Sequence, residues 1–103
     1  MEAKTILVVD DEFGNAEVLL LVLKEEGYRA VSAANGRQGL EMLSRLKVDL
    51  VILDLMMPIM NGAEMAAAMR ASPQFSDIPI LMISGLSEGG VRQQFDDYDA
   101  FLR

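Results

Sequence analysis

Short all-apolar runs alternate along the chain with longer stretches in which apolar residues recur every three or four positions. Ile6-Leu7-Val8-Val9, Val51-Ile52-Leu53 and Ile80-Leu81-Met82-Ile83 carry no polar residue. Such runs read as strands of a parallel sheet covered on both faces, and the stretches between them read as helices. The pattern predicts five strands, at 5–10, 29–33, 49–54, 78–84 and 100–103. Four helices are predicted between them, near 15–26, 37–46, 61–71 and, weakly, 91–95. The first should bury a stripe of Val18, Leu19, Val22 and Leu23, with Gly27 as its stop, and the second should bury Leu40, Leu43 and Leu46. Ala, Met and Glu favour the third helix, which Ser72-Pro73 ends.

Regular strand-helix alternation with short joints is the pattern of repeated βαβ units. The handedness and connection rules then give an α/β fold with an open, doubly wound parallel sheet of five strands in the order 2-1-3-4-5. The unit spans residues 1–103, and its last strand runs to the final residue with no fifth helix after it.

In a sheet of this kind, ligands sit beyond the carboxyl ends of the strands. The first strand runs into Asp10-Asp11-Glu12 and the third into Asp54, so three carboxylates are predicted around one site. Carboxylates held close together disfavour one another's ionisation unless a cation is present. The chain has no cysteine and no histidine, which leaves a hard, oxygen-seeking ion, and Mg²⁺ fits. Asp11 and Asp54 are the expected direct ligands, Asp10 binds directly or through water, and the backbone carbonyl of Met56 supplies a further oxygen. An aspartate beside such an ion can attack phosphorus and become an aspartyl phosphate. Ser84 lies at the matching end of the fourth strand, where its hydroxyl can donate to a phosphoryl oxygen. A single aspartate at a strand end is most often a turn or cap residue; the set at adjacent strand ends is not so easily explained. Phe101 and the methionines at 56, 57, 60, 65, 69 and 82 read as core and loop packing, and Asp96, Asp97 and Asp99 as a solvated turn.

Composition narrows the class. At 103 residues the chain is one domain with a real core, and no apolar run approaches the ~18 residues of a membrane span. Its start is too short and too polar for a signal peptide, and the absent cysteines fit a cytoplasmic protein. A net charge of −7 argues against direct nucleic-acid binding.

The runs Ile6-Leu7-Val8-Val9-Asp10-Asp11-Glu12, Val51-Ile52-Leu53-Asp54-Leu55-Met56-Met57-Pro58, Asn61-Gly62, Pro79-Ile80-Leu81-Met82-Ile83-Ser84-Gly85 and Asp99-Ala100-Phe101-Leu102 resemble, in order and spacing, the receiver domain of two-component response regulators. The resemblance implies a flavodoxin-like fold in which Asp54 is the phosphoacceptor. Asp10, Asp11, Asp54 and the Met56 carbonyl would hold Mg²⁺, Ser84 would be the switch hydroxyl and Phe101 the switch aromatic. It further implies a sensor histidine kinase or histidine phosphotransfer protein as donor, an effector not in this chain, and a regulatory role rather than a metabolic enzyme's. A phosphate on Asp54 would draw in Ser84 and turn Phe101 inward, shifting an equilibrium between two packings. A haloacid-dehalogenase-like phosphatase would need a second acid where Met56 stands.

In the family, a lysine follows the pattern Asp-x-aromatic-Leu-x, and that position falls just after Arg103. Arg103 does not replace it, because side chains alternate along a strand. The expectation is therefore a receiver truncated before the lysine and final helix, with weakened switching and with open apolar sheet surface that promotes self-association. The rival reading is a receiver-shaped module for protein interaction or oligomerisation that is never phosphorylated.

Overall fold

The computed structural model describes residues 3–57 and 59–83, together with the backbone of 100–102. It contains β1 (Thr5–Val9), α1 (Phe13–Glu25), β2 (Arg29–Ala33), α2 (Gly36–Arg45), β3 (Leu50–Asp54), α3 (Gly62–Ala71), β4 (Ile80–Ile83) and β5 (Ala100–Leu102). All pairings are parallel, and the five strands lie in the order β2-β1-β3-β4-β5. The fold is thus the flavodoxin-like, doubly wound sheet that the alternating pattern predicts. The stretch 91–95, Ser84, Asp96, Asp97, Asp99 and Arg103 lie outside the described residues, as does the side chain of Phe101.

The sheet has a core on each face. On one, Leu7, Val9, Val51, Leu53, Ile80 and Met82 meet Leu43 of α2 and Met65, Ala66 and Met69 of α3. On the other, Ile6, Val8 and Ile52 meet Ala16, with Leu19, Leu20 and Leu23 packed alongside. Adjacent strand residues serve opposite faces, which is why the runs are apolar throughout rather than alternating.

The helix ends are set by local chemistry. α1 closes in a Schellman arrangement: Gly27 takes φ +94°, its N–H donates to the Lys24 carbonyl, and the Tyr28 N–H donates to that of Leu23. Asn35 caps α2, its side chain accepting from the Gln38 N–H at 2.9 Å. Asn61 and Glu64 form a reciprocal capping box at the start of α3.

The structure corrects three packing expectations. In α1, Val18 and Val22 are 63% and 51% exposed, and the buried stripe is Ala16, Leu19, Leu20 and Leu23. Residues 18–23 are all apolar, so periodicity cannot by itself orient that helix. Leu46 is exposed because the chain leaves α2 at Arg45 and Leu46 is already extended. Met56 is 64% exposed, unlike Met65, Met69 and Met82, which are fully buried. β4 also begins two residues later than predicted. The Ile78 carbonyl instead accepts from the Arg70 guanidinium, and its N–H bonds to Phe75 within a turn.

Candidate acidic phosphoacceptor site

β1 and β3 are neighbours, with Val9 level with Leu53, so the residues that follow them emerge side by side. Asp10 is the next residue after β1, and its own N–H continues the ladder to the Ala33 carbonyl at 3.0 Å. It is 6% exposed, the one buried charged residue among the described residues. Its Oδ1 accepts from the Glu12 N–H at 2.8 Å, an Asx turn that fixes the carboxylate and turns the chain into α1. Asp11 is exposed beside it. Asp54 ends β3 half-buried, with Oδ1 accepting from the Met56 N–H at 3.2 Å.

Asp10, Asp11 and Asp54 each present a carboxylate oxygen within 4.8 Å of the others. This donor set is all-oxygen, multiply anionic and partly open to solvent. It suits a small hard cation that keeps some of its water, and the separation lets one ion touch several of the oxygens. Burial is the largest influence on Asp54, and the charges of Asp10 and Asp11 add to it. Together they outweigh the Met56 N–H and push the Asp54 pKa up to about 6 from an ordinary 3.8. At pH 7 most of Asp54 is still ionised, but the carboxylate is more basic than a free one and gains from any nearby positive charge.

The end of β3 is held from behind by α3. The Gly62 N–H donates to the Leu55 carbonyl at 2.9 Å, and a Cβ at Gly62 would collide with the Asp54 carbonyl and lie 2.8 Å from the Leu55 Cα. Gly62 thus sets the depth at which Asp54 sits, a role that no charge pattern signals. The connecting loop carries a second constraint: Ile59 adopts φ +69°, unusual for a β-branched residue. The structure therefore brings together Asp10, Asp11, Asp54 and the Met56 backbone. Phe101 is level with Met82 in the β4–β5 pairing, and Ser84 follows β4 outside the described residues.

Comparison with known proteins agrees with this geometry. The family model "Response regulator receiver domain" matches residues 6–101. The DNA-binding response regulator MtrA of Mycobacterium tuberculosis is 39% identical over 98 residues, covering 90% of this chain and 42% of the relative. The phosphate regulon transcriptional regulatory protein PhoB of Pseudomonas aeruginosa is 35% identical over 103 residues, covering 95% of this chain and 45% of the relative. The chain spans less than half the length of these curated relatives. Among solved structures, Vibrio cholerae chemotaxis protein CheY4 superposes with a TM-score of 0.89 at 27% identity, covering 98% of this chain and 86% of that one. Thermotoga maritima response regulator TrrA, solved in complex with Mg²⁺–BeF, superposes with a TM-score of 0.86 at 35% identity, covering 96% and 84%. Two-component regulators signal rather than catalyse metabolic steps. With its acidic strand ends, its sheet order and a family match over nearly the whole chain, this protein belongs to the response regulator receiver domain family.

Proposed function

We propose that residues 1–103 act as a phosphoacceptor unit of a two-component system, with Asp54 taking a phosphoryl group from a phosphohistidine on a sensor kinase or phosphotransfer protein. The observation that carries the proposal is the convergence of the Asp10, Asp11 and Asp54 carboxylates within 4.8 Å at the ends of two adjacent central strands. Asp10, Asp11, Asp54 and the Met56 carbonyl are the oxygens that would hold Mg²⁺. When bound, that ion supplies positive charge to neutralise the phosphoryl oxygens. An Mg²⁺–BeF group was captured in the Thermotoga maritima relative.

The chain's own residues do the positioning. An Asp54 carboxylate oxygen attacks phosphorus in line, the new O–P bond forms as the P–N bond breaks, and the imidazole leaves with the electron pair. The Met56 N–H holds Asp54 Oδ1, which leaves Oδ2 as the natural nucleophile. The Glu12 N–H holds Asp10 still, so little reorganisation is needed as charge develops. The raised basicity of Asp54 strengthens it as a nucleophile. Ser84 as switch hydroxyl and Phe101 as switch aromatic belong to the same proposal, by correspondence with the family's motif. A cytoplasmic setting and an output through a separate effector belong with it as well.

The test is intact mass after incubation with acetyl phosphate, with and without Mg²⁺, using Asp54→Asn as the control. A Mg²⁺-dependent gain of one phosphoryl group that disappears in the variant is the expected result. No gain under any condition would leave a receiver-shaped interaction module as the better reading.

A further inference from the structure

Gly36 opens α2 and is distant in sequence from the acidic residues, yet its N–H donates to the Met60 carbonyl at 3.0 Å, in the loop that follows β3. Among the described residues, this is the one backbone hydrogen bond that ties residues 56–61 to an element other than β3 and α3. We propose that Gly36 is a positioning residue, clamping the far end of this loop so that the Met56 carbonyl is held where a cation would use it. The proposal rests on the reading of Asp10, Asp11, Asp54 and the Met56 carbonyl as an Mg²⁺ site.

Close approach is the first argument. A Cβ at Gly36 would lie 2.7 Å from the Met60 Cγ, 3.0 Å from its Cβ and 2.8 Å from its carbonyl oxygen. That oxygen is backbone and cannot swing aside, so any larger residue pushes the loop away from α2. The backbone at Gly36 does not have a positive φ, and alanine is the better helix former. What glycine provides at this position is therefore room for the Met60 backbone. Gly39, on the next turn, is different. A Cβ there would meet the Met65 Cε at 2.8 Å and Sδ at 2.9 Å, the adaptable end of a long side chain.

Rigidity and strain are the second argument. The start of α2 is fixed by reciprocal capping: the Asn35 side chain accepts from the Gln38 N–H at 2.9 Å, and Gln38 Oε1 accepts from the Ala34 N–H at 2.6 Å. At the end of β2 the Ala33 carbonyl accepts from the Asp10 N–H at 3.0 Å. The segment 33–36 thus bonds to the Asp10 backbone at one end and to Met60 at the other, and it spans both flanks of the acidic site. Ile59, immediately before Met60, has φ +69°. A β-branched residue stays in that region only where its surroundings hold it. Its side chain is 71% exposed, so the restraint comes from the backbone, and the bonded Met60 carbonyl is next to it. Releasing Met60 would let Ile59 relax to an ordinary φ, and the Met56 carbonyl would move with the loop.

The test compares the parent, Gly36→Ala and Gly39→Ala, with Mg²⁺ and Ca²⁺ dissociation constants of the unphosphorylated chain measured by amide chemical-shift titration. Mg²⁺ demands near-ideal octahedral geometry whereas Ca²⁺ tolerates irregular coordination, so a displaced carbonyl is felt mainly by Mg²⁺. Gly36→Ala should raise the Mg²⁺ Kd about tenfold, the lower end of what supporting residues around a metal contribute, and the Ca²⁺ Kd about threefold or less. Gly39→Ala should leave both constants near the parent's, although it crowds the same helix. A merely structural role for Gly36 would weaken both ions alike or neither. Amide hydrogen exchange in the parent is the second measurement, and it decides the question even where Gly36→Ala does not fold. Coupling is reciprocal, so saturating Mg²⁺ should slow exchange of the Gly36 N–H by about tenfold as well. The Gly39 N–H, bonded to the Asn35 carbonyl at 3.0 Å, should exchange at an unchanged rate. An unaltered Mg²⁺ Kd in Gly36→Ala, equal weakening of the two ions, or Gly36 exchange indifferent to Mg²⁺ would each overturn the proposal alone. A parent chain that binds no Mg²⁺ would overturn the Mg²⁺ reading itself, a failure seen before any substitution is made.

Discussion

Asp54→Asn should make the metal-free protein more stable at neutral pH, although it removes the proposed nucleophile. The reason is that Asp54 is held in a place where its charge is unwelcome: it is partly desolvated, and Asp10 and Asp11 lie against it. The folded state raises its pKa from 3.8 to about 6, so folding at pH 7 works against its ionised form. A shift of that size corresponds at most to about 3 kcal/mol. The carboxylate is only half-buried, and solvent screening reduces the figure to about 1–2 kcal/mol. Asparagine keeps an oxygen able to accept the Met56 N–H, so that hydrogen bond need not be lost.

The sign follows from proton binding. The folded chain holds the Asp54 proton more tightly than the unfolded chain does. The contribution of this group is therefore fully favourable below about pH 4 and is lost as pH rises through about 6. The stability of Asp54→Asn minus that of the parent should be smallest near pH 4, grow up to about pH 6.5, and stay level above it. Thermal unfolding followed by circular dichroism in EDTA measures this. For a domain of this size, a gap of about 1–2 kcal/mol is roughly 5–10 °C in Tm. Adding Mg²⁺ should narrow the gap by stabilising the parent, by about 1.4 kcal/mol when the ion is at ten times its Kd. A variant no more stable than the parent at pH 7.5 in EDTA, or a gap that ignores pH, would refute the argument from crowded carboxylates.

Three further substitutions probe the frame around the site. Ile59→Gly relieves a β-branched residue from φ +69° where the side chain is 71% exposed, and should raise stability by roughly 0.5–1 kcal/mol in urea unfolding. Gly62→Ala drives a methyl group into the Asp54 carbonyl and should cost about 1–3 kcal/mol while weakening Mg²⁺ binding measured by calorimetry. Asn61→Ala removes one half of the capping box and should cost about 1 kcal/mol, with the acidic triad's Mg²⁺ affinity little changed.

How much of this was legible in the letters depended on the kind of signal each residue carries. The strands could be read because their runs have no polar residue, and the sheet order followed from handedness and connection rules, which the β2-β1-β3-β4-β5 sheet obeys. Asp10, Asp11 and Asp54 were legible because a charge at the end of an apolar strand is conspicuous. The capping box was also written plainly, as Asn61 followed three residues later by Glu64, and calls only for attention to helix starts. The orientation of α1 was not legible: Val18 to Leu23 is apolar on every side, and only packing against Ile6, Val8 and Ile52 selects Ala16, Leu19, Leu20 and Leu23. Gly62 was visible as a turn residue, but its contact with the Asp54 backbone is tertiary and has no local signature.

The placement of the acidic site follows from the winding of the sheet. β1 lies between β2 and β3, and the chain leaves β1 by α1, on the face that holds Ile6 and Val8. It leaves β3 by α3, whose Met65, Ala66 and Met69 pack on the face that holds Leu7 and Val9. Connections on opposite faces draw the loops after β1 and β3 apart, which opens a crevice beyond the two strands. Asp10 and Asp54 border that crevice because each follows or ends the strand beneath it, and Asp11 reaches it through the turn that the Asp10 carboxylate stabilises. The surrounding core fixes the two strands in register, Val9 against Leu53, so the spacing of the carboxylates is inherited from rigid elements rather than from the loops. It follows that core substitutions beneath β3, such as at Leu53, should alter ion binding as well as stability, whereas changes on the exposed face of α1 should alter neither.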